Sequence, residues 1–232
     1  METYGEIIYM IMDELKLSSD DRVLEEEHII NLLHHYRNLL LKQRYSDIRR
    51  DIALPNFQYI NVNLEKVNSI PNTNFDSNIY LKSNIIIPNI LNLNAQNVTK
   101  LSAEKDFWSG EISFIDMNQF KYVGYNKWLN TIIYACIGPD DYLYLKSNNP
   151  QFLYLKSIAI TSIFENPKEI HYMLESPTVN NNVNILDKEF PLEGNLIPLV
   201  KDAIIKDLSK TIYQPEDNNN NADDDLDKLN VK

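Results

Sequence analysis

The side chains able to attack, ligate or relay protons are few in this sequence and lie far apart. Cys136 is the only cysteine among 232 residues, which removes any intramolecular disulfide and any thiolate-based zinc site. It sits inside the apolar run TIIYACI, where no neighbouring cation or base would lower its pKa, so a core thiol is expected instead of a nucleophile. The histidines are His28, His34, His35 and His171. His34 and His35 are adjacent on a helical pattern and therefore point apart, and no H-E-x-x-H motif is present. The glycines, Gly5, Gly110, Gly124, Gly138 and Gly194, are too dispersed for a phosphate-cradling loop, and no G-x-S-x-G elbow occurs.

The remaining motif candidates fail on their defining positions. Asp217, Asn219 and Asn221 match the opening ligands of an EF-hand loop, but the required glycine is Ala222 and the bidentate glutamate is Lys228. A metal-dependent nuclease would need a Pro-Asp pair followed by acid-x-Lys. Pro139-Asp140 has no such triplet after it, and Glu14-Leu15-Lys16 lies upstream on a helical pattern. The sequence therefore predicts no enzyme, with no catalytic residue, metal or cofactor.

Charge narrows the partners. A net charge of -11 disfavours broad contact with nucleic acid, which needs a surplus of Lys and Arg, so any DNA contact must be local. All the arginines, Arg22, Arg37, Arg44, Arg49 and Arg50, precede residue 51. The cluster Lys42, Arg44, Arg49 and Arg50 has two readings: a solvated helix end that complements the helix dipole, or a patch facing a partner or DNA, where guanidinium can bind in bidentate fashion. The opening METYGEIIYM lacks the basic segment and apolar run of a secretory signal, and no apolar stretch is long enough to cross a bilayer, so no membrane role is expected.

The elements that must position these residues follow from periodicity. Ile7, Ile8, Ile11 and Leu15 predict an amphipathic helix over Thr3 to Lys16. Ile29, Leu33, Tyr36 and Leu40 predict a second over Glu25 to Arg50, roughly 39 Å long at about 1.5 Å per residue, the pair forming an N-terminal helical hairpin. After Pro55 the period becomes two: Phe57 onward, Tyr80 to Ile87 and Ile112 to Ile115 predict strands, with a loop over Asn68 to Asn78. Thr131 to Glu165 predicts an antiparallel meander, in which YLYLKS at Tyr142 and FLYLKS at Phe152 would be paired hairpin strands.

A short helix over Lys168 to Leu174 and an Asn-rich loop precede a last helix over Asn195 to Gln214, with Leu196, Val200, Ile204, Leu208 and Ile212 every four residues. The tail EDNNNNADDDLDKLNVK has too little apolar content to fold alone and is expected to be disordered and flexible in isolation. Leu226 and Leu229, three apart, could anchor one turn of a docking helix. The fold class is α+β: residues 1–54 helical, 55–165 β-rich, 166–214 helical and 215–232 an acidic tail.

Three stretches carry a family likeness: EIIYMIMDELKLSSDD, EEHIINLLHHYRNLLLKQRYSDIRR and EFPLEGNLIPLVKDAIIKDLSKTIYQPEDNNNNADDDLDKL, with PQFLYLKSIAITSIFENPKEI fitting the same pattern. Together they resemble the ring-forming neck proteins of crAss-like bacteriophages. The resemblance implies a structural head-to-tail connector of the virion, made in the host cytoplasm. It would be a closed ring, a dodecamer, between portal and tail, touching copies of itself, the portal protein and adjacent neck or tail rings, with phage DNA passing through its lumen. It implies no active site. Arg44, Arg49, Arg50, Leu226 and Leu229 are then the expected interface residues. The competing readings are another tail or tail-attachment subunit, distinguished by what it binds, and a small metal-dependent hydrolase or nuclease, distinguished by divalent-metal-dependent cleavage.

Overall fold

A computed structural model describes residues 2–16, 25–47, 50–71, 79–93, 99–103, 111–123, 127–129, 131–174 and 184–212. Helix α1 (Tyr4–Lys16), helix α2 (Glu26–Arg44) and helix α5 (Ile197–Ile212) pack into one layer. Their apolar stripes meet in a single cluster that includes Ile7, Ile8, Ile11, Ile29, Leu33, Leu41, Val200 and Ile204. Residues spaced three and four apart fall on one helix face, so these positions point inward together. The N-terminal pair is thus joined by α5, which runs back along α2: Glu193, just ahead of α5, meets Arg44, and Asp207 bonds the Tyr36 hydroxyl.

Helix α2 stops at Arg44, short of the expected Arg50. The Tyr45 N–H closes the last turn onto the Leu41 carbonyl at 3.0 Å. The Ser46 hydroxyl then donates to the Gln43 carbonyl at 3.0 Å, the acceptor that the Asp47 N–H would use if the helix continued. Arg50 sits in a bend beyond the helix, and Arg49 lies outside the described residues.

Between the helices, β1 (Gln58–Val67), β2 (Tyr80–Ile86), β3 (Lys100–Ala103), β4 (Ile112–Phe114), β5 (Ile133–Ile137), β6 (Tyr142–Lys146) and β7 (Ser157–Ser162) form one sheet in the order β3-β7-β1-β2-β6-β5-β4. The end strands β3 and β4 come into contact, so the sheet curls round an interior of Ile60, Val62, Leu81, Ala135, Leu145, Ile158 and Ile160. Helix α4 (Pro167–Leu174) adds Ile170 to this interior. The short helix α3 (Met117–Phe120) lies across the outside of β5 and β6, where Phe120, Tyr80, Cys136 and Tyr144 form a third cluster.

The β5–β6 hairpin forms as expected around Gly138-Pro139-Asp140-Asp141, with Asp141 at φ 60°. Gly138 is required there, because a Cβ would approach the Tyr144 ring to 2.6 Å. The rest of the meander is corrected. Pro150–Tyr154 is a 3-10 turn, capped by the Asn149 side chain accepting from the Gln151 N–H at 3.0 Å, and β7 pairs with β1 and β3 and not with β6. Pro150 has no N–H to give a ladder and its fixed φ starts the turn, so the repeated YLYLKS-like motif takes two different structures. The sheet is also mixed, because β4 runs parallel to β5. The β3 strand and α3 were not anticipated. The expected tail, residues 215–232, and most of the two predicted loops lie outside the described residues.

Candidate assembly interface

Of the expected interface residues, Leu226, Leu229 and Arg49 lie outside the described residues, while Arg44 and Arg50 flank the C-terminal end of α2. Arg44 is engaged within the subunit, its Nη2 3.5 Å from the Glu193 carboxylate. Glu193 also accepts from the Tyr45 hydroxyl and from Asn56 Nδ2 at 2.9 Å, and its N–H donates to Asn56 Oδ1 at 3.0 Å. Burial raises the Glu193 pKa, but the Tyr45 and Asn56 donors and the Arg44 charge outweigh it, leaving the carboxyl below its ordinary value. Exposed Arg50 donates to the Arg44 carbonyl at 3.4 Å.

Beside this cluster, an open depression of about 510 Å³ is lined by His35, Asn38, Leu39, Lys42, Gln43 and Glu165. Lys42 lies 3.9 Å from Glu165, both half exposed, a separation at which an ion pair contributes little. Asp47 and Asp51 flank Arg50 in sequence. The cations at this helix end are therefore interleaved with carboxylates, which suits specific pairing with another protein better than broad attraction to phosphate.

The arginine that organises the fold is a different one. Arg37 lies on the buried stripe of α2, four residues after Leu33 and four before Leu41, and is completely buried. Its Nε donates to the Pro191 carbonyl at 2.8 Å, Nη1 to the Phe164 carbonyl at 2.9 Å and Asn38 Oδ1 at 3.1 Å, and Nη2 to the Asn56 carbonyl at 3.3 Å. One side chain thus joins α2 to the end of β7, to the turn before β1 and to the segment before α5. Burial lowers its pKa to about 10, so the guanidinium stays charged at neutral pH. The sequence signal was present: an arginine in register with Ile29, Leu33 and Leu41 must either break the stripe or be satisfied inside it.

Next to it, the Tyr4 hydroxyl and His34 Nε2 are 3.0 Å apart, and Tyr4 meets the His171 and Phe190 rings edge to face. Elsewhere, Lys82 ties β2 to the β5–β6 turn through Asp140 at 2.8 Å, and the Tyr144 hydroxyl donates to the same carboxylate at 2.8 Å. The Lys82–Asp140–Tyr144 group fixes the packing of β2 against the hairpin. Cys136 is buried against the Met117 sulfur, and burial pushes its thiol up to about 12, which withholds the thiolate a nucleophile needs. Among the described residues, no cluster of His, Cys, Asp or Glu could hold a metal ion, and no helix is long and apolar enough to cross a membrane.

What the described surface does offer is large apolar side chains: Trp128 is 85% exposed and Leu54 82%, with Tyr59, Tyr122 and Tyr154 also exposed. Trp and Tyr are enriched among the side chains that carry protein–protein binding energy. The class of the molecule is given by its sequence: residues 6–226 match the phage tail ring protein 2 family, to which the chain belongs. It is 43% identical over 225 residues to Ring protein 2 of Bacteroides phage crAss001, spanning 97% of this chain and 98% of that protein. It is accordingly a structural ring protein of a bacteriophage virion.

Proposed function

We propose that the chain forms a closed, dodecameric ring in the neck of the virion, between portal and tail, through which the genome passes. The family match over residues 6–226 carries this reading. The exposed aromatic and aliphatic side chains support it as contact surface, and a net charge of -11 suits a channel that does not hold DNA tightly. Its partners are copies of itself, the portal protein and adjacent neck or tail rings, after synthesis in the host cytoplasm, and it performs no catalysis. Arg44, Arg49 and Arg50 contribute to one contact and Leu226 and Leu229, in the acidic tail, to another. Residues 1–54, 55–165 and 166–214 act as the helical, β-rich and helical regions of the subunit.

Electron microscopy of the purified protein mixed with its portal tests the reading directly. A ring of subunits on the portal is the expected image, and a single copy at one portal site overturns it. Replacing Arg44, Arg49 and Arg50 together by Ala should impair ring formation at an unchanged melting temperature. Truncation after Pro215 should leave the subunit folded and remove attachment to its neighbour. Unaltered assembly in either variant removes those residues from the interface.

A further inference from the structure

The junction around Arg37 holds a buried imidazole, His34, and near it the half-buried His171, whose Nε2 is buried. His34 of α2 faces Tyr4 from α1, Arg37 from its own helix, and Lys168 and His171 from α4. His171 faces Tyr4, Lys188 and the backbone of Glu189. The charged side chains acting on the two rings are therefore cations: Arg37, Lys168 and Lys188. Lys168 pairs with the exposed carboxylate of Glu27 at 2.5 Å.

We propose that His34 and His171 form an acid-sensitive latch, which holds α1 and α4 against α2 while both rings are neutral and releases them when the rings take up protons in mild acid. The Tyr4 hydroxyl and His34 Nε2 share a hydrogen bond at 3.0 Å, and a protonated His34 can only donate in it. Nε2 of His171 is buried without a hydrogen-bond partner, so a proton there would have nothing to receive it. Each protonation also adds a cation beside Arg37 or Lys188.

The direction follows from where each ring is held. Burial first, then Arg37, Lys168 and His171, lower His34 from 6.5 to about 3; burial and then Lys188 lower His171. The opened chain thus takes up protons first. The latch is at full strength above the ordinary histidine value and weakens as pH falls toward the folded value, by up to about tenfold per pH unit per histidine. Glu193 and Asp140 are held below their ordinary 4.5 and 3.8, so their contribution starts to fall only in stronger acid. Mild acid, between about pH 6 and 5, belongs to the histidines.

Hydrogen exchange of the full chain between pH 7 and 4, corrected for intrinsic rates, tests the latch. Protection in α1 and α4 should fall below pH 6 by up to about tenfold per unit per histidine, while β5 and β6 keep theirs. The double variant His34→Gln, His171→Gln keeps polar groups at both sites without a titrating ring and should lose this response. Should that variant not fold, imidazole titration of the wild-type chain by NMR decides: both rings must remain neutral until the helices open. The proposal is overturned if sheet and helices lose protection together, if the variant keeps the wild-type response, or if both rings titrate while the helices stay protected.

Discussion

Helix α2 carries two arginine sites only a few residues apart, and they behave in opposite ways. Arg37 is fully buried and bonded to carbonyl oxygens from three separate segments, with no carboxylate among its hydrogen-bond partners in the described residues. Arg44 and Arg50 lie at the helix end among carboxylates, and the Arg44–Glu193 contact is a long 3.5 Å. By charge type alone the second site looks the stronger. Desolvation reverses the order: a surface pair competes with water and contributes about 0–1 kcal/mol, whereas a buried donor set leaves several orphaned carbonyls when it is removed. Arg50 is exposed and Arg44 partly so, whereas Arg37 is closed to any partner.

The comparison is broken most directly at Arg37. Arg37→Ala should cost about 3 kcal/mol or more, since the Pro191, Phe164 and Asn56 carbonyls would each be left buried without their donor. Urea denaturation reads this as a lowered midpoint. Arg37→Met with wild-type stability would instead show that an apolar side chain of similar length suffices there. Arg37→Lys should lie between, because an ammonium on a flexible stem cannot span three separated acceptors.

A smaller effect is expected where the two sites meet. Glu193 gathers Tyr45, Asn56 and Arg44, and Glu193→Gln should lower stability by about 1–2 kcal/mol through loss of the charged acceptor. The same carboxyl predicts a pH effect distinct from the histidines. Its folded pKa lies below the ordinary 4.5, so its contribution is present above that value and is lost as pH falls through the folded one. Denaturation midpoints for wild type and Glu193→Gln should therefore converge in strong acid; a constant gap from neutral pH to pH 3 would locate the effect in packing.

The smallest change is expected at the exposed end. Arg50→Ala should shift stability by less than about 0.5 kcal/mol in thermal unfolding. A larger loss would make the cluster a folding element like Arg37 and erase the contrast between them. A negligible loss, with impaired ring formation in the Arg44, Arg49 and Arg50 triple variant, would sharpen it.

Much of the local architecture was legible because it depends on near neighbours. The stripe at Ile7, Ile8 and Ile11, the alternation through Ile60 and Val62, and the turn at Gly138 each encode an element within a few residues. The similar motifs at Tyr142 and Phe152 show the limit. Composition made both strands, but Pro150 and the Asn149 cap turned the second copy into a 3-10 turn and sent β7 to β1. The candidate site was legible in part: the sequence drew attention to Arg44 and Arg50 by their clustering and passed over Arg37, which stands alone.

The sequence by itself determined that the helices would be amphipathic, that a single thiol and dispersed glycines exclude several chemistries, and that the chain resembles ring-forming phage proteins. These are properties of residue type and spacing. Only the tertiary structure decided which arginine would be buried, because burial depends on carbonyls of Pro191, Phe164 and Asn56 arriving from distant parts of the chain. The same holds for His34 and His171, which are separated along the chain and come together only through Tyr4 of α1, against which both rings lie. Helical and strand periods are set by local backbone geometry, whereas the solvation of a charge is set by whatever the whole fold brings around it.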